Sequence, residues 1–206
     1  MPKPDRRTER TRAALMSAFI NLMLTEGYEA VSVERVAERA NVGRSTFYMH
    51  YTGKEDILRQ SMARPSSILA VVVGHDLPQE VLIKQLEHFN AQRHRNQIFF
   101  SGPVRVIWIR VLAELIEPRL AKLAQQSRSR PVLPLSLAAL QIAESQIALI
   151  STWLNGKANA AKAEAIAEAM TASTRAMTAA LLRLPPNATP FIAGEKLRFM
   201  STEETK

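Results

Sequence analysis

Cysteine is absent from this sequence of 206 residues, which excludes a disulfide scaffold, a cysteine nucleophile and a thiolate metal site. Glycine is scarce as well, with seven residues, so little material is available for phosphate-binding glycine loops. No purely aliphatic run approaches the roughly 20 residues that a membrane-spanning helix requires. The charged first dozen residues are not followed by an apolar signal-peptide core, so we expect a soluble cytoplasmic protein.

Motifs that carry catalysis are also missing. The sequence contains no Walker glycine loop and neither the G-x-S-x-G nor the H-E-x-x-H pattern, and its acids are scattered singly. His88 and His94 are six residues apart, which places them on different faces of a helix and argues against a metal site. We therefore expect no enzymatic activity and no cofactor.

The residues that are present favour a folded, basic protein. Hydrophobic residues make up 47% of the chain, as in ordinary globular proteins. Lysine and arginine outnumber the acids by 27 to 19, which gives a net charge of +8. This charge favours a polyanionic partner, although a basic surface also suits membrane lipids.

Apolar residues recur at three- and four-residue steps along almost the whole chain, so the predicted fold class is all-α. Glycine and proline breakers and a change of composition near residue 75 divide the chain into two parts. We expect a first domain of short helices over residues 6–66 and a second helical domain over residues 76–185. Residues 186–206 should form a loosely attached tail.

The N-terminal third contains short helices with recognisable caps. The first helix should begin with Thr8 as its N-cap and end at Glu26, where Gly27 can close it. Ser32 should cap a second helix of about two turns, because apolar residues repeat from Val33 at helical spacing.

A tight turn then leads to a third short helix, predicted over Arg44–Tyr51. Thr52 and Glu55 have the spacing of a capping box that opens a fourth helix. Two short helices joined by a tight turn, between a long helix and a capped helix, are typical of a helix-turn-helix. The side chains expected to anchor the third helix in the core are Val42, Phe47 and Tyr51.

The outward face of the third helix is polar and aromatic and contains no acid, which suits a surface that faces phosphates. Arg44 is the side chain on this face that can bind guanine bidentately, while the hydroxyl and imidazole groups suit phosphate oxygens. Lys54 lies at the start of the next helix, where its charge opposes the helix dipole unless a phosphate binds nearby. The outward residues are Arg44, Ser45, Thr46, Tyr48, Met49 and His50.

The stretch Val31–Leu58, VSVERVAERANVGRSTFYMHYTGKEDIL, resembles the DNA-binding domain of TetR-family transcriptional regulators. The shared patterns are V-x-x-V-A-x-x-A, V-G-x-S-T-F-Y-x-H-Y and G-K-E-D, and the resemblance covers about residues 6–64. It implies a helix-turn-helix DNA-binding domain of three helices over residues 6–66, followed by a helical effector and dimerisation domain over residues 76–185. In the first domain the third helix would enter the major groove of DNA. The base-edge contacts it implies are Arg44, Ser45, Tyr48 and Met49; the phosphate contacts are Ser32, Thr46, Tyr48, His50 and Lys54.

The turn departs from the family pattern, which usually reads Gly-Val-Ser where this chain has Asn41-Val42-Gly43. Asparagine tolerates the left-handed backbone conformation, so we expect the turn to be kept.

At the N-terminus, the first twelve residues carry a net charge of +3. They form either a solvated tail or an arm that reaches the DNA backbone or minor groove.

The second domain should contain at least four helices, over residues 78–95, 103–128 with a bend at Pro118, 134–155 and 160–184. The last two have apolar stripes and many alanines, which predict either an intramolecular core or an interface between chains. The resemblance favours a two-fold four-helix bundle, and a homodimer would read a palindromic operator. The candidate interface residues are Leu140, Ile147, Ile150, Leu154, Met170, Met177 and Leu181.

Bulky residues lie between these helices and the DNA-binding part. Core packing explains any one of them, but the resemblance implies a cavity for a small apolar or amphipathic effector, with Phe89, Phe100 and Trp108 in its wall. The sequence as a whole predicts a homodimeric repressor that an effector releases from double-stranded DNA. The alternative is an architectural or interaction DNA-binding dimer without an effector.

Overall fold

The chain folds into helices throughout the part described by a computed structural model, which comprises residues 6–74, 77–156 and 161–185. No strand occurs within those ranges, so the all-α prediction is confirmed. The expected tail over residues 186–206 lies outside them. The helices are α1 (Arg6–Glu26), α2 (Val33–Arg39), α3 (Arg44–Tyr48), α4 (Lys54–Ser61), α5 (Ala63–Val71), α6 (Gln79–Ala91), α7 (Arg93–Asn96), α8 (Gly102–Ser127), α9 (Leu135–Asn155) and α10 (Ala163–Leu181), with a 3₁₀ turn at Gln97–Phe100.

The ends of α1 and α2 follow the predicted caps with one exception. Thr8 lies inside α1 and is not its N-cap, because the exposed first turn begins two residues earlier, where water can satisfy its N–H groups. Gly27 closes α1 in the left-handed conformation (φ 85°), and its N–H donates to the carbonyl of Met23 at 3.0 Å. Ser32 caps α2 as predicted and accepts a hydrogen bond from the Arg35 N–H.

The turn and α3 place two aromatic side chains in the core. Asn41 has the left-handed conformation (φ 53°) that the sequence predicts. Phe47 and Tyr51 are 0% and 1% exposed, so these two predicted anchors are confirmed, while the third, Val42, is half-buried against the same core. The regular helix ends at Tyr48 and not at Tyr51, because the next residues close in a turn in which the His50 N–H donates to the Phe47 carbonyl at 2.9 Å.

The capping box predicted for α4 is wrong by one residue. Gly53 is the N-cap and has no side chain to accept a hydrogen bond, and Glu55 lies exposed. Asp56 accepts the Thr52 N–H through Oδ2 at 2.9 Å. Burial alone would raise the pKa of Asp56, but this bond and one from the Gln60 amide lower it below the ordinary value.

α5 is a helix that the sequence analysis missed, because Pro65 was interpreted as a breaker. Pro65 lies in the first turn of α5, where a missing N–H removes no intrahelical hydrogen bond. The buried aliphatic residues that follow it pack mainly against α8. The domain division between residues 66 and 76 remains a prediction, but α5 belongs with the C-terminal helices by its packing.

The C-terminal helices pack around α8, the longest of the described elements. α8 contacts both α5 and α9, and α10 contacts α6 and α9. α8 continues through the exposed Pro118, whereas the helix predicted over residues 78–95 stops near Gln92, whose backbone leaves the helical region (φ −116°, ψ 30°). A continuous cluster of buried apolar side chains extends from α1 to α10 and joins both parts of the chain.

Within the described ranges, one helix, α9, has the length and apolar composition of a membrane-spanning segment. Composition of this kind is weak evidence, because the core helices of soluble proteins share it. In this chain α9 packs against α8 and α10, which accounts for its apolar residues.

Candidate nucleic-acid interface and effector cavity

The outward side chains of α3 form an exposed face above a buried aromatic support. Tyr48 is 47% and Met49 75% exposed, unusual values for large apolar side chains. Ser45 is also exposed, while Thr46 and His50 are half-buried at the edges. The Phe47 ring lies beneath, edge-on to the Tyr48 ring with centroids 5.5 Å apart. This face, from Arg44 to His50, is called the α3 face below.

Arg44 has two partners in the folded chain. Its guanidinium lies 5.6 Å from the centre of the Tyr48 ring, and Nη1 is 2.8 Å from Oε1 of Glu34 on α2. The backbone N–H of Glu34 donates a hydrogen bond to the carboxylate of the same residue, which lowers the pKa of Glu34. The Ser32 hydroxyl and Arg44 lower this pKa further. The sequence analysis missed this acid beside the α3 face, because Glu34 and Arg44 lie on different helices.

Lys54 is held by the turn between α1 and α2. Its Nζ donates to the backbone carbonyls of Tyr28 at 3.2 Å and Glu29 at 3.3 Å. The same ammonium lies 4.6 Å from the centre of the Tyr28 ring. These contacts supply a structural reason for a lysine in the first turn of α4, so the argument that its charge there requires a phosphate is wrong.

α4 connects the helix-turn-helix to the C-terminal helices. Arg59 forms an ion pair with Glu114 of α8, while Gln60 accepts a hydrogen bond from Arg12 of α1. Met62, directly after α4, is 1% exposed. A displacement of α4 therefore changes contacts in both parts of the chain.

A cavity of about 700 Å³ lies between the α4–α5 junction, α6 and α8. Phe89, Phe100 and Trp108, the residues predicted for an effector site, all line it. Their rings also pack on one another, with centroids 5.4 Å apart for Phe89 and Phe100 and 4.6 Å apart for Phe100 and Trp108. The indole N–H of Trp108 donates to Ser66 Oγ at 2.9 Å. These rings therefore form part of the core and part of the cavity wall.

Comparison with known proteins identifies the N-terminal part. Residues 15–60 match the family model of bacterial regulatory proteins of the tetR family. These residues form a DNA-binding domain of the TetR family. This is a family of transcriptional regulators and not of enzymes, in agreement with the absence of catalytic motifs.

The sequence similarity of this chain to its relatives is local. It is 32% identical to the uncharacterised HTH-type transcriptional regulator YxbF of Bacillus subtilis over 88 residues, which are 40% of this chain and 22% of the relative. It is 38% identical to the HTH-type transcriptional regulator TcmR of Streptomyces glaucescens over 53 residues, 26% of this chain and 24% of the relative. The chain thus spans less than half the length of the curated relatives it matches.

The structural similarity extends over most of the chain. A TetR transcriptional regulator from Streptococcus agalactiae aligns with a TM-score of 0.51 at 25% identity, over 82% of this chain and 96% of that one. A TetR-family regulator from Syntrophomonas wolfei aligns with a TM-score of 0.54 at 20% identity, over 87% of this chain and 100% of that one. Both similarities support the all-α fold with an N-terminal helix-turn-helix.

The faces of α9 and α10 differ from the prediction. Ile147, Ile150, Leu154 and Met170 are 0% exposed within the single chain, and Leu181 is 9% exposed. The prediction that these five line an interface between chains is wrong, because they already fill the core of their own chain. Leu140, at 38% exposed, and the half-buried Met177 remain accessible.

The outward faces of the two helices differ in composition. On α10, five exposed alanines recur every three or four residues beside the exposed Glu164, Glu168 and Ser173, and we call these alanines the alanine face. On α9, Leu137 is 51% exposed beside Leu140. The alanine face consists of Ala165, Ala169, Ala172, Ala176 and Ala180.

Proposed function

We propose that this TetR-family chain is a cytoplasmic, homodimeric repressor that binds a palindromic DNA operator through α3. The observation that carries the proposal is the exposed, carboxylate-free α3 face on its buried support of Phe47 and Tyr51. The exposed parts of Tyr48 and Met49 suit contacts with base edges and sugar-phosphate groups. The repressor assignment rests on the family resemblance.

Within this proposal, Arg44 reads a guanine and Ser45, Tyr48 and Met49 complete the contacts with base edges. The pairing of Arg44 with Glu34 does not prevent this, because both side chains are more than half exposed and water can replace each partner. Thioether and methyl groups pack against the thymine methyl, which suits the exposed Met49. The proposed phosphate contacts are Ser32, Thr46, Tyr48 and His50.

A dimer is required for recognition of a long DNA site, because one α3 of five residues can contact only a few base pairs. Two copies about one helical turn of DNA apart read a palindrome. The alanine face supports the pairing, because small side chains allow helices of two subunits to approach closely. Leu137 and Leu140 at the start of α9 extend the accessible apolar surface.

An effector in the cavity would act on DNA binding through α4. The eight residues of α4 extend about 12 Å. Lys54 at its start is bonded to the α1–α2 turn, while Met62 after its end lines the cavity. A ligand that displaces Met62 therefore shifts α4 and the attached turn, which changes the separation of the two α3 helices and the population of the DNA-binding shape. The cavity favours this mechanism over an architectural dimer without an effector.

Selection of bound fragments from random DNA, followed by affinity measurements on the selected operator, tests the proposal. We expect a two-fold symmetric site whose half-site centres are about one helical turn, roughly 10 base pairs, apart. Arg44→Ala should reduce operator affinity roughly ten- to a hundredfold and relax the preference at one base pair of each half-site. Arg110→Ala, on the exposed surface of α8, is the matched control. An unchanged ratio of operator to random-DNA affinity in Arg44→Ala would remove the assignment of Arg44 as a base reader.

A further inference from the structure

The cavity has two walls of different chemistry. One wall consists of the aromatic rings on α6, the 3₁₀ turn and α8, among which Phe99 is half-buried and the others are buried. The solvent-exposed rim is polar, since it carries the exposed side chains of Lys84 and His88 on α6. A ligand that fills the cavity therefore needs an apolar body at one end and a polar group at the other.

Hydrogen-bond donors converge on the polar rim. Lys84 and His88 are four residues apart on α6, so they lie on the same side of the helix, and Gln85 lies beside them. None of these three side chains forms a hydrogen bond or ion pair with another described residue. Their donors are therefore available to a bound molecule.

The rim offers more donors to an anion than acceptors to a cation. Lys84 is its basic side chain and Glu80 its acid, one turn earlier and not paired with Lys84. An anionic group gains a charge-assisted contact with Lys84 beside the donors of Gln85 and His88, whereas a cationic group meets one carboxylate, Glu80, one turn from a like charge.

Building on the effector role given to the cavity under Proposed function, we propose that its ligand is an amphipathic anion. An aromatic body packs against Phe89, Phe100 and Trp108, and an acid group is bound at the rim by Lys84 with support from His88. A volume of about 700 Å³ admits a body larger than a single ring. An anion fixed at the rim holds that body against Met62, which is the contact through which α4 would respond.

Two fluorescent probes with the same ring skeleton distinguish the contribution of the ligand's charge to binding from the contribution of its shape. The probe 8-anilinonaphthalene-1-sulfonate carries the anion, whereas N-phenyl-1-naphthylamine is the same skeleton without it. We expect Lys84→Gln to raise the dissociation constant of the sulfonate roughly five- to tenfold, because a charge-assisted contact is lost at a partly hydrated rim. The naphthylamine should bind the variant and the unchanged protein equally. Lys122→Gln, on α8 outside the cavity, should alter neither probe.

Further measurements fix the location of the probes and the role of the cavity. Val81→Trp adds bulk at the half-buried wall of the cavity and should weaken binding of both probes, with the folded state checked by circular dichroism. Sulfonate binding that Val81→Trp and Lys84→Gln both leave unchanged overturns the proposal. Equal affinity for the two probes, with release of operator DNA by both, overturns the anionic class but keeps the effector site. If both probes compete with each other for the cavity and neither changes operator affinity, the effector role itself fails.

Discussion

Lys54 is the residue whose environment departs furthest from the expectation for an exposed DNA-binding lysine. Its ammonium donates to the carbonyls of Tyr28 and Glu29. Lys54→Met should therefore lower the free energy of unfolding by about 1 kcal/mol, the order expected for charge-assisted bonds that are partly exposed. Thermal unfolding measures this loss. Lys122→Met, also half-buried but on α8, is the matched control and should change it less.

Salt dependence distinguishes this positioning role from a direct phosphate contact. A phosphate contact that is lost lowers the slope of log affinity against log salt by about one. We expect Lys54→Met to lower the slope by clearly less, since two carbonyl oxygens already accept its donors. A full unit of slope lost with no change in thermal stability would contradict the positioning role.

Single residues were predictable from the sequence where their role is local. Ser32 caps the next turn of its own helix, and Asn41 adopts a conformation set by its own side chain and backbone. The partners of Arg44 and Lys54 were not predictable, because Glu34 and the Tyr28 carbonyl come from other elements. The candidate site was thus predictable as a set of residue types on a helix face, but its ion pairs depend on how the helices pack.

At the scale of elements, α4 depends on Asp56 for the hydrogen bond that the Thr52 N–H would otherwise lack. Because the pKa of Asp56 is lowered in the folded chain, its carboxylate contributes stability above the ordinary pKa of 3.8, and this contribution is lost as the pH falls through the folded-state value. Asp56→Asn should therefore be less stable than the unchanged protein near neutral pH. The difference should shrink in acid below the ordinary value.

Calorimetric unfolding over a series of pH values checks this prediction. Glu87→Gln, at an exposed position of α6, provides the control for loss of one negative charge without loss of the bond to Thr52. A difference between Asp56→Asn and the unchanged protein that stays constant into strong acid would show that the carboxylate charge is not what stabilises the start of α4.

Most helices were predictable because their apolar periodicity is long, as in α1 and α9, whose ends lie within a few residues of the expected ones. The errors occur where a local signal has two meanings. Proline interrupts the interior of a helix but is tolerated in its first turn, and Pro65 lies in the first turn of α5. The division of the predicted helix over residues 78–95 leaves no comparable signal, since Gln92 has ordinary helix propensity.

At the scale of the whole molecule, the pairing of α9 and α10 between subunits stays a prediction, but most of the residues assigned to it face the chain's own core. The core side of both helices holds their large aliphatic residues together with several alanines. Large side chains gain most from burial in the chain's own core. On α10 a row of alanines is left outward, where their small size suits contact with a second copy.

A charge on the alanine face should separate the proposed dimer. Ala172→Glu and Ala176→Glu each place a carboxylate where two helices are expected to approach closely, so desolvation opposes association. Sedimentation equilibrium should show a shift from dimer to monomer, and operator affinity should fall because the two half-sites lose their linkage. Ala121→Glu, at an exposed position of α8, is the control and should leave both quantities unchanged.

A substitution in the core of the chain provides a second control, for which the expected result is unfolding and not separation of subunits. Ile147→Glu places the same carboxylate at a position that is 0% exposed within the single chain, so it should unfold the protein and not merely separate subunits. If Ile147→Glu yields a folded monomer while Ala172→Glu stays dimeric, the dimer depends on the face of α9 that carries Ile147, and the alanine face is not the interface. If both fold as dimers, the pairing uses neither helix, and the spacing of the two α3 helices must be set by another part of the chain.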